Sequence, residues 1–126
     1  MKKKVLGLIT AIVIIISAAI SVNAAARASS TSLELYTHQY EATSSTITAG
    51  KVKIWTKIDS SSAHMVWSIG QYYEGSNYDN KISRYMNIGD ELTFYSGDWS
   101  TSSWYLELNP TGAFKNCRAS GTIAAA

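Results

Sequence analysis

The chain has 126 residues, with 11 lysines and arginines against 9 aspartates and glutamates, for a formal net charge of +2. Three of those lysines are Lys2, Lys3 and Lys4; without them eight basic residues face nine acidic ones, a net charge of −1, and no charge-based case for nucleic acid remains. One cysteine, Cys117, excludes an intrachain disulfide, so the fold must rest on packing and on sheet hydrogen bonds.

Lys2 to Lys4 open a tripartite N-terminus. The run from Val5 to Ile20 is apolar apart from Gly7, Thr10 and Ser17, and Ser21, Val22, Asn23 and three alanines follow. A basic start, an apolar middle and small residues make a secretory signal peptide over residues 1–26, with the cut expected after Ala24 or Ala26. The apolar run is short for a span of roughly 20 residues, and no basic cluster follows it closely to hold a retained anchor. A lipoprotein would need a cysteine at the cut, and the C-terminus, Gly121 to Ala126, has neither a long apolar tail nor a basic flank. The expected product is secreted and extracellular, with no stable membrane anchor after cleavage.

Residues 27–126, about 100 residues, are enough for one secreted domain with one modest core. All four tryptophans, all eight tyrosines and both phenylalanines lie there, and aromatic residues favour strands. Thr31 to Thr37 alternates through Leu33 and Leu35 and reads as a first strand. His38 to Ser45 is polar, a loop or an edge, and Ser44 to Thr48 is a short β-prone stretch that stops at Ala49-Gly50. Lys51 to Asp59 is the cleanest strand: Val52, Ile54, Thr56 and Ile58 take one face, and Lys51, Lys53, Trp55 and Lys57 the other. A lysine-rich outer face discourages pairing with another molecule; Trp55 between cations is also a candidate platform for a sugar or an anionic polymer.

Asp59 to Ser62 is a turn. Ala63 to Tyr73 is the next strand, with Met65, Trp67 and Ile69 directed inward by alternation and Gly70 at the place of a bulge. Glu74 to Asn80 reads as a polar loop. Lys81 to Ile88 makes another strand with Ile82, Met86 and Ile88 on one face; Arg84 shares it and must lie near an end or pair with an acid. Ile88 to Gly112 then reads as a hairpin, Leu92 and Phe94 in its first strand, Trp104, Leu106 and Leu108 in its second, and Gly97-Asp98 opening the turn. Ala113 to Ala119 is a last strand around Phe114 and Cys117, followed by a short tail carrying Ile123. Turn signals near positions 50, 60, 76, 89, 98, 111 and 120 give an all-β, mostly antiparallel sandwich of roughly seven or eight strands, with a small closed barrel as the alternative.

No catalytic signature emerges. There is no Gly-x-Ser-x-Gly elbow, no phosphate loop and no dinucleotide fingerprint. His38, His64 and Cys117 lack zinc-ligand spacing, and His64 is placed on the outer face of its strand. Glu74, Asn77 and Asp79 form a weak calcium candidate within a loop, where turn chemistry alone also accounts for them. No cofactor is expected.

What remains is aromatic and polar. Trp99, beside Asp98, stands at the expected hairpin tip, and Tyr78, beside Asn77 and preceded by Tyr72-Tyr73, stands in the polar loop. Rings beside Asn, Asp and Ser supply contact area at little entropic cost. The expected function is that of a non-enzymatic interaction module whose partner is an extracellular glycan, a cell-wall polymer or a protein. The candidate binding residues are Trp99, Asp98, Tyr78, Asn77, Tyr72 and Trp55. The rival readings are a small exported bacteriocin or toxin acting on competing cells, and an extracellular inhibitor or immunity-type protein. The partner, the strand topology and the oligomeric state are open at this stage.

Overall fold

A computed structural model of the chain describes residues 29–111 and 114–126; the expected signal peptide and its cut lie outside them. Among the described residues nine strands occur in chain order: β1 (Ser30–Leu35), β2 (Ala42–Thr43), β3 (Ile47–Ala49), β4 (Val52–Ile58), β5 (Val66–Glu74), β6 (Asn77–Met86), β7 (Glu91–Tyr95), β8 (Ser102–Asn109) and β9 (Ala119–Ala125). They form two antiparallel sheets stacked as an all-β sandwich, not a closed barrel. The four-stranded sheet runs β1-β9-β4-β7; the five-stranded sheet runs β2-β8-β5-β6, with β3 also on β8. The two strands beyond seven are the two- and three-residue pieces β2 and β3 on one edge.

Alternation places the core. Val52, Ile54, Thr56 and Ile58 all face inward and are fully buried. Opposite them lie Trp104, Leu106 and Leu108 of β8, also fully buried. Burying Trp104 also buries an N–H, and that indole donates to the Ala49 carbonyl at 2.9 Å, so no donor is left unsatisfied there. Thr56 and Ser68 meet across the two sheets and share a buried hydrogen bond at 2.6 Å. Cys117 is a free, buried thiol.

Several expectations are overturned. The stretch from Ile88 to Gly112 is not a hairpin. β7 pairs with β4 in one sheet, and β8 pairs with β5, β2 and β3 in the other. The segment between them crosses from sheet to sheet. It is tied to the start of β4 by Ser96 N–H donating to Val52 O and Trp99 N–H donating to Gly50 O. Alternation and a turn signal mark two strands and a change of direction; they carry no information about which neighbour completes the hydrogen bonds.

β5 faces the opposite way from the expectation. Val66, Ser68 and Tyr72 point into the sandwich, and Trp67 and Ile69 lie on the solvent side of the sheet; Met65 precedes the strand. Only the middle of β5, at Ser68 and Gly70, takes small residues inside, where a Cβ on Gly70 would stand 2.9 Å from Ile54 Cδ1 of the opposite sheet. The expected polar loop from Glu74 to Asn80 shrinks to the two-residue turn Gly75-Ser76, with Glu74 paired to Asn77. Gly75 has φ +67°, which a hairpin turn requires and glycine adopts without strain. A register shift does occur at Gly70-Gln71, the bulge expected there.

β6 therefore begins four residues earlier than expected and ends at Met86, leaving Ile88 exposed. Arg84 pairs with no acid among the described residues: it lies over the Phe94 ring of the opposite sheet, 4.9 Å from its centroid, which supplies a favourable face for a cation. Leu92 is on an edge strand and is 39% exposed. Phe114 to Arg118 is outside any strand, and the supposed tail is β9, which runs between β1 and β4. His64 is also outside any strand; its ring stacks on Phe114 at 3.8 Å, and Nδ1–H donates to the Met65 carbonyl.

Gly121 of β9 shows how tight the centre is. A Cβ there would stand 2.7 Å from Leu106 Cδ2 and 3.2 Å from both Thr56 Oγ1 and the Trp55 carbonyl. Gly121→Ala is expected to destabilise the fold by about 1–3 kcal/mol through overpacking, read from urea unfolding. Ser68→Ala is expected to cost about 1–3 kcal/mol because it strands the Thr56 hydroxyl. Adding Thr56→Val should recover part of that loss, giving a non-additive double-mutant cycle.

Candidate functional site

The solvent face of the five-stranded sheet holds two sets of aromatic side chains with a polar row between them. Period-2 alternation sends Trp67, Ile69, Gln71 and Tyr73 of β5 to this face, because their neighbours Ser68, Gly70 and Tyr72 turn inward. At one end Trp67 is paired with Tyr85 of β6, and the rings stack at 4.7 Å. At the other end Tyr78 is packed edge-on against Tyr73 at 5.0 Å and against Tyr105 of β8 at 4.9 Å. Such stacked and edge-to-face pairs hold one another's orientation. Tyr73 and Tyr85 are each 40% exposed.

The polar row runs diagonally across the sheet between the two sets. Gln71 Nε2 donates to Asn80 Oδ1 and, at 2.8 Å, to Glu107 Oε1. Asn109 Nδ2 donates to Glu107 Oε2 at 2.8 Å. The bulge after Gly70 brings Asn80 opposite Gln71, so the irregularity in β6 sets the end of the row. Gln71 is largely buried beneath its neighbours, which fixes the middle of the row rigidly. Burial raises the Tyr105 phenol above its ordinary value, and the charge of Glu107, the neighbouring Tyr78 and Glu41 raise it further. The phenol is therefore held neutral, as a donor.

The candidate binding residues are divided among three places. Tyr78 and Asn77 begin β6, Tyr78 within the face just described. Tyr72 is 5% exposed, turned inward with its ring edge on Trp104 at 4.9 Å and its hydroxyl donating to the Ser100 carbonyl. Trp99 and Asp98 lie in the crossover between sheets. The Trp99 ring leans on Tyr72 at 5.9 Å and carries the Lys81 ammonium 4.1 Å from its centroid. Lys81 also makes an ion pair with Glu74 at 2.9 Å, so one face of Trp99 is already occupied by a cation.

Trp55 is on the other sheet, half-buried, its indole N–H donating to Glu91 at 2.8 Å. Tyr72, Trp99 and Lys81 form one cluster at an end of the sandwich; Tyr78 and Trp55 face opposite solvents. The calcium candidates Glu74, Asn77 and Asp79 are in strands rather than a loop, and no three His, Cys, Asp or Glu side chains converge among the described residues.

The sequence alone does not mark Trp67, Tyr85, Tyr105, Gln71, Asn80, Glu107 and Asn109 as one surface. A signal for them exists in the small residues Ser68 and Gly70, which mark the close-packed face of β5 and thereby assign Trp67 to the other.

No family model matches the chain, and no curated protein sequence matches it. Among solved structures, it is similar to the mitogen derived from Yersinia pseudotuberculosis, at 10% identity and a TM-score of 0.43, over 77% of this chain and 84% of that one. It is similar also to PirA, at 8% identity and a TM-score of 0.46, over 75% of this chain and 91% of that one.

The Tyr105 shift has a testable sign. A pKa raised in the folded state adds stability that is complete below the ordinary phenol range and is lost as pH climbs through the raised value. Glu107→Gln is expected to bring the Tyr105 titration part of the way back toward the ordinary phenol value, the contribution of burial remaining. A ring-resolved NMR titration checks it.

Proposed function

We propose that this chain is an exported, non-enzymatic module that binds an extracellular polysaccharide on the solvent face of its five-stranded sheet. The observation that carries this reading is the hydrogen-bonded row Asn80-Gln71-Glu107-Asn109 running between the Trp67-Tyr85 stack and the Tyr73-Tyr78-Tyr105 cluster.

A sugar ring offers a flat face of C–H bonds and a rim of hydroxyls. Aromatic side chains cover the first, and a few fixed polar groups orient the second. Trp67 and Tyr73 are six residues apart on one strand, about 20 Å at roughly 3.3 Å per residue, so the face suits a run of sugars. The distribution also distinguishes a glycan from a protein. Protein interfaces concentrate apolar contact at the centre and polar groups at the rim, whereas here the polar row is central and the rings flank it. Because the row is already bonded internally, little side-chain entropy is lost when a ligand arrives. The N-terminal pattern of basic, apolar and small residues supports delivery outside the cell.

The test is retention of the secreted protein on insoluble cell-wall fractions and in gels containing soluble polysaccharides. Trp67→Ala and Tyr78→Ala are each expected to weaken binding by about tenfold or more, equivalent to about 1.4 kcal/mol, with far-UV circular dichroism unchanged. Trp99→Ala, at the end of the sandwich, should bind as the parent does. Equal retention of parent and folded Trp67→Ala would exclude this face.

A further inference from the structure

We infer that this face prefers glycans bearing free amines and rejects anionic ones, a selection that rests on the polysaccharide reading above. The inference comes from the distribution of charge and of hydrogen-bond capacity. No lysine or arginine of β2, β3, β5, β6 or β8 is directed to the solvent face of the sheet. β6 contains two cations, and both turn away. Lys81, the extra residue at the bulge, reaches back to Glu74 and over Trp99. Arg84 crosses to the Phe94 ring of the opposite sheet. Glu107 is left as the charged member of the row, and Glu41 lies near enough to act on Tyr105.

The hydrogen-bond accounting points the same way. The Gln71 amide donates to both Asn80 and Glu107, and the Asn109 amide donates to Glu107. The Gln71 donors are spent inside the row, whereas the Asn80 amide and the second N–H of Asn109 have no partner among the described residues. Asn109 Oδ1 is buried and has no partner among the described residues. Each Glu107 oxygen accepts one of these bonds and, as a carboxylate oxygen, has capacity for another. The row offers amide donors as well, but its one charged group, Glu107, needs donors from a ligand.

Hydroxyls meet that need, and an ammonium group meets it with three donors and a complementary charge. A carboxylate, sulfate or phosphate on the ligand would bring a like charge to Glu107. Electrostatic complementarity of this kind sets specificity more than total affinity.

The experiment compares three probes of matched length: a β-1,4-glucosamine oligomer with free amines, its fully N-acetylated counterpart, and an oligogalacturonate. Dissociation constants are measured by titration calorimetry in mildly acidic, low-salt buffer. The parent protein is expected to bind the free-amine oligomer about three- to fivefold more tightly than the N-acetylated one, and the galacturonate weakest of the three. Added salt should shrink the preference, a readout that needs no variant. Glu107→Gln, verified as folded by its melting transition, should bring the ratio toward one. A parent ratio near one, or galacturonate bound as tightly as the others, would overturn the selection while leaving polysaccharide binding in place. Binding of none of the probes, nor of any wall fraction, would remove the polysaccharide reading and this inference with it.

Discussion

The two sheets touch along a narrow line. Gly121 of β9 is pressed against Leu106, a Thr56-Ser68 hydrogen bond joins the layers beside it, and Ile54 of β4 approaches Gly70 of β5. Each contact needs a small or polar residue at a position where alternation alone would admit a large apolar one. Close approach excludes water, and the paired hydroxyls remain satisfied without it. Without a disulfide, this contact line and the fully buried side chains around it carry the cohesion that cross-links supply in many small exported proteins.

The same constraint shapes the outer surface. Because Ser68 and Gly70 face the opposite sheet, Trp67 and Ile69 are on the outer side of theirs, where Ile69 is covered and 7% exposed; a strand cannot send consecutive side chains to one side. The bulge after Gly70 then resets the register of β6, bringing Asn80 opposite Gln71 and freeing Lys81 to reach Glu74 and Trp99. One irregularity thus both completes the polar row on the solvent face and removes a cation from it. Sandwich packing and surface chemistry are not separate features here, since the inner requirement for small residues decides which aromatics are outside.

Much of the architecture was legible in residue order. The alternation of Val52, Ile54, Thr56 and Ile58, and of Trp104, Leu106 and Leu108, identified two core strands and their buried faces, and turn residues at short intervals identified an all-β sandwich. Partner choice was not legible. β7 and β8 follow one another through a Gly-Asp turn signal, yet complete their hydrogen bonds with β4 and with β5, β2 and β3, because the sheet edges offering unpaired groups are elsewhere in the chain. Ser120 to Ala125 reads as a tail because it has one large aliphatic residue, Ile123; the strand character of β9 comes from neighbours on both sides, β1 and β4, and from the need for Gly121 at the contact line.

The candidate surface divides in the same way. The residue types were visible: tryptophan, tyrosine, asparagine and acids outside any catalytic pattern. Local order puts Tyr78 in a polar loop and Trp99 at a hairpin tip, while the fold sets Tyr78 on the solvent face and Trp99 against Tyr72 at the end of the sandwich. By itself, then, the amino-acid order determined the all-β class, the main core positions and the supply of aromatic and amide side chains, because these follow from side-chain period and composition. Only the tertiary structure decided which strands are neighbours, which face of β5 is inside, and which rings and amides share a surface. Those outcomes depend on long-range hydrogen-bond pairing and on the distance between sheets, neither of which any short stretch of the chain encodes.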